Sequence, residues 1–199
     1  MQAQQQPLEH SQDKEQLAVL RRSLQNGLLA VKNAFQRKPN ISRLFRQHCA
    51  LIDGLLIELW SKLEANSECC LIAVGGYGRG ELYPHSDIDL LLLTPDQPKA
   101  HSTLNQGIEQ LIGLMWDIGL NVGHSVRSLE ECISEAEKDV TVQTNLLESR
   151  LLAGDEDIYQ RFIARTQRLS APLVFFEAKL KEQQKRHAKF NDTAYNLEP

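Results

Sequence analysis

The chain has 199 residues, of which 42% are hydrophobic, and this is enough to bury one sizeable core with a helical appendage. Its formal net charge of −4 gives no general electrostatic reason to bind nucleic acid, which argues against a template-directed or tRNA-modifying protein. The first residues lack a signal-peptide pattern and the apolar runs are too short to span a bilayer, so we expect a cytoplasmic protein without a membrane partner.

The beginning of the chain predicts a tail followed by two helices. Residues 1–12 are polar, rich in glutamine and without periodicity, which predicts a disordered tail. Apolar residues then recur every three or four positions from about Lys14 to Gln36, which predicts an amphipathic helix. Pro39 and Asn40 interrupt this pattern, and a second helix is predicted from Ile41 to about Ala65. We therefore expect an N-terminal helical segment over residues 13–66.

The next stretch combines two apolar strands with glycines and acids. A buried strand is predicted at Leu71–Val74, followed by a glycine-rich turn at Gly75–Gly80 and a polar connection that ends at Ser86. A second strand carries Asp87 and Asp89 at its start, and a spacing of two places both side chains on one face. Glycine-rich backbone can hold phosphate oxygens, and paired carboxylates favour Mg²⁺ or Mn²⁺. This combination predicts a site for a metal-bound nucleoside triphosphate.

Taken singly, each of these signals has an ordinary structural explanation. A Gly-Gly pair after a strand is usually a turn, and an Asp-x-Asp pair at a strand end is often only solvated. The spacing of the glycines matches neither a Walker A loop nor a dinucleotide-binding fingerprint. The order and separation of the two signals therefore carry the functional prediction.

The rest of the chain continues as alternating helices and strands. A third strand, predicted over Asn121–Arg127, lies beside the strand that carries the two aspartates, and Ser128 with Glu131 forms a capping box. Residues 150–152 fit either a short strand or the end of a helix. The remaining predictions are a loop over residues 95–102 and helices over about 104–117, 140–147, 155–168 and 171–191. We expect a core over residues 67–154 and a C-terminal helical extension over residues 155–199.

The four cysteines show no metal-binding spacing. They are Cys49, Cys69, Cys70 and Cys132, and two of them open an apolar strand. Buried reduced thiols are the interpretation that this pattern favours.

The glycine-rich turn, the connection and Ser86-Asp87-Ile88-Asp89 together resemble the polymerase-β-like nucleotidyltransferase superfamily. Residues 75–91, 116–127 and 144–154 further resemble the N-terminal transferase domain of the bacterial PII uridylyltransferase/uridylyl-removing family. The resemblance implies an α+β fold, with a small mixed sheet, flanking helices and helical extensions at both ends. It also implies that this chain corresponds to the N-terminal part of a longer protein, without the family's uridylyl-removing and glutamine-sensing domains.

The resemblance implies a metal-dependent transfer of a uridylyl group from UTP to a tyrosine of the PII nitrogen-signalling protein, with release of pyrophosphate. Asp87 and Asp89 would be catalytic and would hold the metal, Mg²⁺ or Mn²⁺. Gly75 and Gly76 would bind phosphates through the backbone. Arg79 would either add positive charge there or form a structural ion pair, with Glu81 or a neighbouring helix. Ser86 would orient Asp87, touch a phosphate or cap the turn.

One feature of the superfamily is missing, and two alternative functions stay open. A third carboxylate is usual on a neighbouring strand, yet the predicted third strand contains no acid. His124, Glu148 or a residue beyond Pro199 would supply the general base, although Glu148 could equally pair with Arg150. The alternatives are another protein-modifying nucleotidyltransferase, such as an adenylyltransferase, and a non-catalytic module that binds nucleotide or PII. The residues do not distinguish uracil from adenine and do not indicate the oligomeric state.

Overall fold

The computed structural model describes residues 6–63, 69–95 and 103–189. These residues form a four-stranded sheet and eight helices, and residues 96–102 of the loop predicted over residues 95–102 lie outside the described residues. The elements are α1 (Gln6–Arg37), α2 (Ile41–Trp60), β1 (Cys70–Ala73), α3 (Gly75–Gly78), β2 (Ile88–Thr94), α4 (Thr103–Ile118), β3 (Val122–Ser128), α5 (Leu129–Lys138), α6 (Val140–Leu147), β4 (Arg150–Gly154), α7 (Glu156–Thr166) and α8 (Pro172–Lys189).

The sheet is mixed and its strands lie in the order β3-β2-β1-β4. Strand β1 pairs antiparallel with both β2 and β4, whereas β2 and β3 run parallel. The α+β class, the mixed sheet and the position of the third strand beside β2 are thus confirmed. Residues 150–152, which fitted two interpretations, belong to strand β4.

Alternating residues of the central strands pack into two separate cores. On one face, Leu90 and Leu92 of β2 contact a cluster that includes residues of α1, α2 and α4. On the other face, Leu91 and Leu93 contact buried residues of α5, α6 and α7. The period of two along a strand accounts for this division, and it fixes which helices lie near any polar residue of β2.

The N-terminal helices differ in extent from their predictions. Helix α1 begins at Gln6, so residues 6–12 are helical rather than disordered, and residues 1–5 lie outside the described residues. Helix α2 ends at Trp60, about five residues before its predicted end. Helices α1 and α2 share one apolar core with the sheet, so this core does not separate the N-terminal segment from the rest. The division into segments 13–66, 67–154 and 155–199 stays a prediction.

Local signals fix the other helix ends close to where the sequence predicts them. The Ser128 hydroxyl accepts a hydrogen bond from the Glu131 backbone, and the Glu131 carboxylate accepts one from the Ser128 backbone, which confirms the capping box. Gly119, with a φ of 93°, ends α4 in the left-handed region. None of the helices among the described residues is long and apolar enough to cross a membrane.

Candidate active site

The two predicted metal ligands lie at the beginning of β2, beside β3. Asp89 is the second residue of the strand and pairs in register with Gly123, while Asp87 directly precedes the strand and is exposed. The Asn121 side-chain amide donates a hydrogen bond to the Asp87 carboxylate. The two aspartates therefore share the sheet face that α5, α6 and α7 cover further along β2.

The Asp89 carboxylate occupies a half-buried position next to a second negative charge. Burial raises the pKa of the Asp89 carboxyl above its ordinary value, and the charge of Asp87 raises it further. Among the described residues, no donor forms a hydrogen bond to the Asp89 carboxylate. A half-buried carboxylate without a donor, beside another carboxylate, is an arrangement that a cation stabilises.

Glycines surround Asp89 on two sides. A β-carbon on Gly123 would lie 2.8 Å from Asp89 Oδ1, and one on Gly75 would lie 3.6 Å from Asp89 Oδ2. Gly75 has a φ of 59°, which disfavours other residues. The absence of side chains at these two positions therefore gives the carboxylate its room.

The predicted glycine-rich turn begins with one turn of helix, α3, directly after β1. The first N–H groups of any helix lack partners inside the helix, so Gly75 and Gly76 lie where backbone donors are available. Gly78 lies against the end of α6, since a β-carbon there would lie 1.9 Å from the Glu148 carbonyl oxygen. The glycine spacing thus brings α3 and α6 together beside Asp89.

Arg79 is held in ion pairs at the end of α3. Its Nε donates to Glu81 Oε2 at 3.0 Å, and its Nη1 forms a second pair with the Glu148 carboxylate. In this structure Arg79 therefore forms the structural ion pairs that were expected as the alternative to a phosphate contact. The expected alternative of a Glu148–Arg150 pair is wrong, because Arg150 pairs with Asp53 instead.

Ser86 belongs to a turn that leads into β2. Its backbone N–H donates to the Tyr83 carbonyl oxygen at 3.2 Å, and the preceding residue, His85, has a φ of 70°. The Ser86 side chain is exposed and makes no hydrogen bond within the described part of the chain, to Asp87 or to any other residue. Ser86 also lines a cavity together with Leu24 of α1 and Leu44 of α2.

The chain matches a family model described as "Nucleotidyltransferase domain" over residues 56–152. The matched residues include α3, all of β1, β2 and β3, and the first three residues of β4. The chain contains a nucleotidyltransferase domain.

Curated relatives of this nucleotidyltransferase domain carry the name bifunctional uridylyltransferase/uridylyl-removing enzyme. The relative from Nitrosospira multiformis is 43% identical over 185 residues, which are 91% of this chain and 21% of the relative. The relative from Ralstonia nicotianae is 47% identical over 165 residues, which are 83% of this chain and 19% of the relative. The chain therefore spans about a fifth of the length of these relatives.

Solved structures resemble the domain only distantly. The match to a chain in a crystal structure of a toxin-antitoxin with AMP-PNP covers 70% of this chain and 96% of the matched chain, at 18% sequence identity. Its TM-score of 0.38 is too low for the likeness to support a functional assignment.

The nucleotidyltransferase fold generally uses a divalent metal, and the carboxylates of this domain fit one. Asp87 and Asp89 supply hard oxygen ligands on one face, and Asp89 lacks a competing protein donor among the described residues. No cluster of three acidic, histidine or cysteine side chains that could bind a metal occurs within residues 6–63, 69–95 and 103–189. Because Mg²⁺ commonly keeps waters and binds substrate phosphates, two carboxylates suffice for such a site.

The two candidate general bases within the chain, His124 and Glu148, lie on different sides of the sheet. His124 pairs in register with Leu90, whose side chain enters the core formed with α1, α2 and α4, and the His124 ring contacts Trp116 of α4. His124 therefore lies on the face opposite to Asp89. Glu148 lies at the end of α6, on the same side of the sheet as Asp89, but its carboxylate forms an ion pair with Arg79.

A polar network beside α3 was not predicted from the sequence. The Tyr77 hydroxyl donates to Asp53 Oδ1 at 2.5 Å, and Arg150 binds both Asp53 oxygens, at 2.8 and 3.1 Å. Arg150 also lies over the Tyr77 ring at 5.4 Å. This network joins α2, α3 and β4, and it holds the glycine-rich helix against the sheet.

Proposed function

We propose that this domain transfers a uridylyl group from UTP to a tyrosine hydroxyl of the PII signalling protein. The acceptor oxygen attacks the α-phosphorus, the bond to pyrophosphate breaks, and the hydroxyl proton is released. The observation that carries the proposal is the meeting of Asp87 and Asp89 with the glycine-rich helix α3 at one end of the sheet.

Asp87 and Asp89 are the residues that would hold Mg²⁺, or Mn²⁺ in its place. A bound divalent ion neutralises charge on the triphosphate and lowers the pKa of the acceptor hydroxyl. The aspartates contribute by position, because Asn121 orients the Asp87 carboxylate and Gly123 leaves Asp89 its space. We infer that both are catalytic and that replacement of either one stops transfer.

The glycine-rich helix and Ser86 provide the contacts proposed for the phosphates. Backbone N–H groups at Gly75 and Gly76 can donate to phosphate oxygens without side-chain obstruction. Arg79 is about half-exposed, so its guanidinium can turn from Glu148 toward a bound phosphate. Ser86 is exposed and directly precedes Asp87 in the chain, and its hydroxyl is the further donor proposed for the triphosphate.

The choice of donor and acceptor depends on relatives rather than on geometry. The relatives are named uridylyltransferase/uridylyl-removing enzymes, and the sequence resembles the family whose acceptor is PII. A net charge of −4 suits a protein acceptor better than nucleic acid. All four cysteines are buried and none forms a disulfide within the described residues, so we place the reaction in the reducing cytoplasm.

The proposal is tested by incubating the protein with PII, Mg²⁺ and equal amounts of UTP and ATP, and by measuring the mass of PII. We expect a uridylyl adduct on a tyrosine. D87N and D89N should give no adduct and should keep the circular dichroism spectrum of the wild type. D157N, which changes an exposed aspartate of α7, is the matched control and should remain active.

The other outcomes each identify a different function. An adenylyl adduct would assign the chain to the adenylyltransferases. Mg²⁺-dependent nucleotide binding without an adduct would identify a non-catalytic module, the alternative that the missing acid on β3 favours. Full activity of D87N or D89N would contradict the metal-site assignment.

A further inference from the structure

The two oxygens of Asp89 face different elements. Oδ1 faces Gly123 of β3, where a β-carbon would lie only 2.8 Å away. A longer side chain at this register position would displace Asp89. The β3 position paired with Asp89 therefore has no room for the side chain of a third ligand.

On its other side, the Asp89 carboxylate faces a polar side chain from α6. A β-carbon on Gly75 would lie 3.6 Å from Asp89 Oδ2 and 3.5 Å from Asn145 Oδ1. The two oxygens therefore flank the same space above Gly75. Gly75 and Gly76 begin α3 there, so this is also the side of Asp89 proposed to receive the triphosphate.

The backbone around Asn145 is positioned by packed neighbours, although the Asn145 side chain is exposed. The next residue, Leu146, is buried in the core beneath β2, and the Glu148 carbonyl at the end of α6 touches Gly78. Within the described residues, neither the Asn145 side chain nor the Asp89 carboxylate has a hydrogen-bond partner. Two hard oxygens, from Asp89 and Asn145, therefore lie beside the same β-carbon position on Gly75, and neither has a hydrogen-bond donor among the described residues.

We propose that the Asn145 side-chain oxygen is the third protein ligand of the divalent-cation site, together with Asp87 and Asp89. This inference rests on the proposed function, because it assumes a metal at the two aspartates. Amide oxygens are suitable ligands for hard cations. An amide in place of a third carboxylate leaves the site with two negative charges instead of three, so it binds a free cation less strongly.

The experiment is a titration of the protein with Mn²⁺ in the absence of nucleotide, in which electron paramagnetic resonance measures free Mn²⁺. N145A removes the oxygen and should weaken binding about tenfold, in line with the effect of disturbing a metal site. N145D adds a carboxylate at the same place and should tighten binding about tenfold, because cation affinity rises with ligand charge. Circular dichroism melting of each variant establishes that it is folded.

Two controls separate the role of Asn145 from the effect of charge and from the metal site itself. N105D makes the same substitution at an exposed asparagine of α4 and should bind Mn²⁺ like the wild type. D89N should abolish binding in every background. Wild-type binding by N145A, or no difference between N145D and N105D, would overturn the inference.

Failure of this inference is distinguishable from failure of the proposed function. If D89N binds Mn²⁺ as well as the wild type, the proposed aspartate site is wrong, and the inference about Asn145 fails with it. The inference about Asn145 is also overturned if neither the wild type nor N145D binds Mn²⁺ in a way that replacement of Asp89 abolishes. If the Mn²⁺ affinities follow the expected order but PII gains no uridylyl group, the ligand assignment stands and the acceptor or donor is wrong.

Discussion

At the scale of single residues, the candidate site depends on the missing side chains at Gly75 and Gly123, beside Asp89. Asp89 is half-buried, and a β-carbon on Gly123 or Gly75 would lie 2.8 or 3.6 Å from one of its oxygens. Desolvation of a carboxylate is unfavourable, so crowding would be expected to drive it outward. The missing side chains let Asp89 stay at the strand and leave space beside both of its oxygens.

Gly123→Ala tests this dependence directly. The new β-carbon would lie 2.8 Å from Asp89 Oδ1, and the short aspartate side chain would have to move. We expect uridylyl transfer to fall about a hundredfold, because small displacements of positioning groups cost that much. The melting temperature should change little, since the strand itself accepts alanine. Transfer rates and thermal melts of the purified variant would measure both quantities.

Gly113→Ala is the matched control. Gly113 lies inside α4, and nothing lies within 4 Å of the position of its added β-carbon. Alanine there should increase stability by about 0.5–1 kcal/mol and leave transfer unchanged. Equal activity of the two alanine variants would contradict the role given to Gly123.

The cysteines provide a second residue-scale prediction. Cys70 donates a hydrogen bond to the Asp155 carbonyl oxygen at 3.1 Å, and burial raises its pKa to about 11. At pH 8 only about one thiol in a thousand would then be ionised, and the thiolate is the reactive form. Native protein should therefore resist iodoacetamide, whereas urea-unfolded protein should gain four carbamidomethyl groups. Rapid native labelling of Cys70, detected by peptide mass spectrometry, would contradict this burial.

At the scale of elements, α3 is held in place by one polar network. Asp53 of α2 accepts hydrogen bonds from Tyr77 of α3 and from Arg150 of β4. The Asp53 and Arg150 side chains are 23% and 35% exposed, so water screens this pair only in part. Burial, and then the bond to Asp53, raise the pKa of Tyr77 far above its ordinary value, which keeps the phenol neutral as a donor.

Asp53→Ala should weaken the junction of these three elements. Removing the carboxylate leaves the Tyr77 hydroxyl and the Arg150 guanidinium without their partner. We expect a loss of about 1–3 kcal/mol in the free energy of unfolding, the usual cost of an unsatisfied buried group. Urea denaturation followed by circular dichroism would measure it. Transfer should also decrease, because α3 carries Gly75 and Gly76.

An exposed ion pair gives the comparison for this variant. Arg165 and Glu130 pair at 3.0 Å, with side chains that are 49% and 61% exposed. Arg165→Ala should cost less than about 1 kcal/mol, as exposed ion pairs usually contribute little. A loss in Asp53→Ala no larger than in Arg165→Ala would show that the network does not hold α3.

Local signals explain which elements the sequence predicts correctly. The period of two around Asp89, the capping box at Ser128 and Gly119 after α4 each act within a few residues. They therefore identify strands and helix ends without the rest of the fold. The helical start at Gln6 was missed because residues 6–12 are polar and lack apolar periodicity.

Contacts between distant segments could not be predicted in this way. Asp53 and Arg150 are 97 positions apart, and no periodic pattern links them. Asn145 was visible only as part of a family motif, since its approach to Asp89 depends on how α6 packs on the sheet. The face occupied by His124 depends on the register of β3 with β2, which the chain fixes only through tertiary packing.

At the scale of the whole molecule, the two ends of the chain contribute unequally to the core. Leu20 and Leu24 of α1 and Leu56 of α2 are buried in the cluster that covers one face of the sheet. In α8, none of the residues whose burial is described is buried, and Leu173, Val174 and Phe176 are 59–68% exposed. Apolar burial therefore ties the N-terminal helices to the nucleotidyltransferase core and leaves α8 attached to its outside.

A chain that ends at Ser170 should consequently keep its stability. We expect its melting temperature to lie within about 2 °C of the full chain, which corresponds to less than about 1 kcal/mol for a protein of this size. Leu56→Ala in the full chain should instead lower stability by about 2–5 kcal/mol, as truncation of a fully buried leucine does. Differential scanning calorimetry of both proteins would measure these shifts. A large loss on removing α8, comparable to that of Leu56→Ala, would mean that the helix stabilises the domain through contacts other than buried apolar side chains.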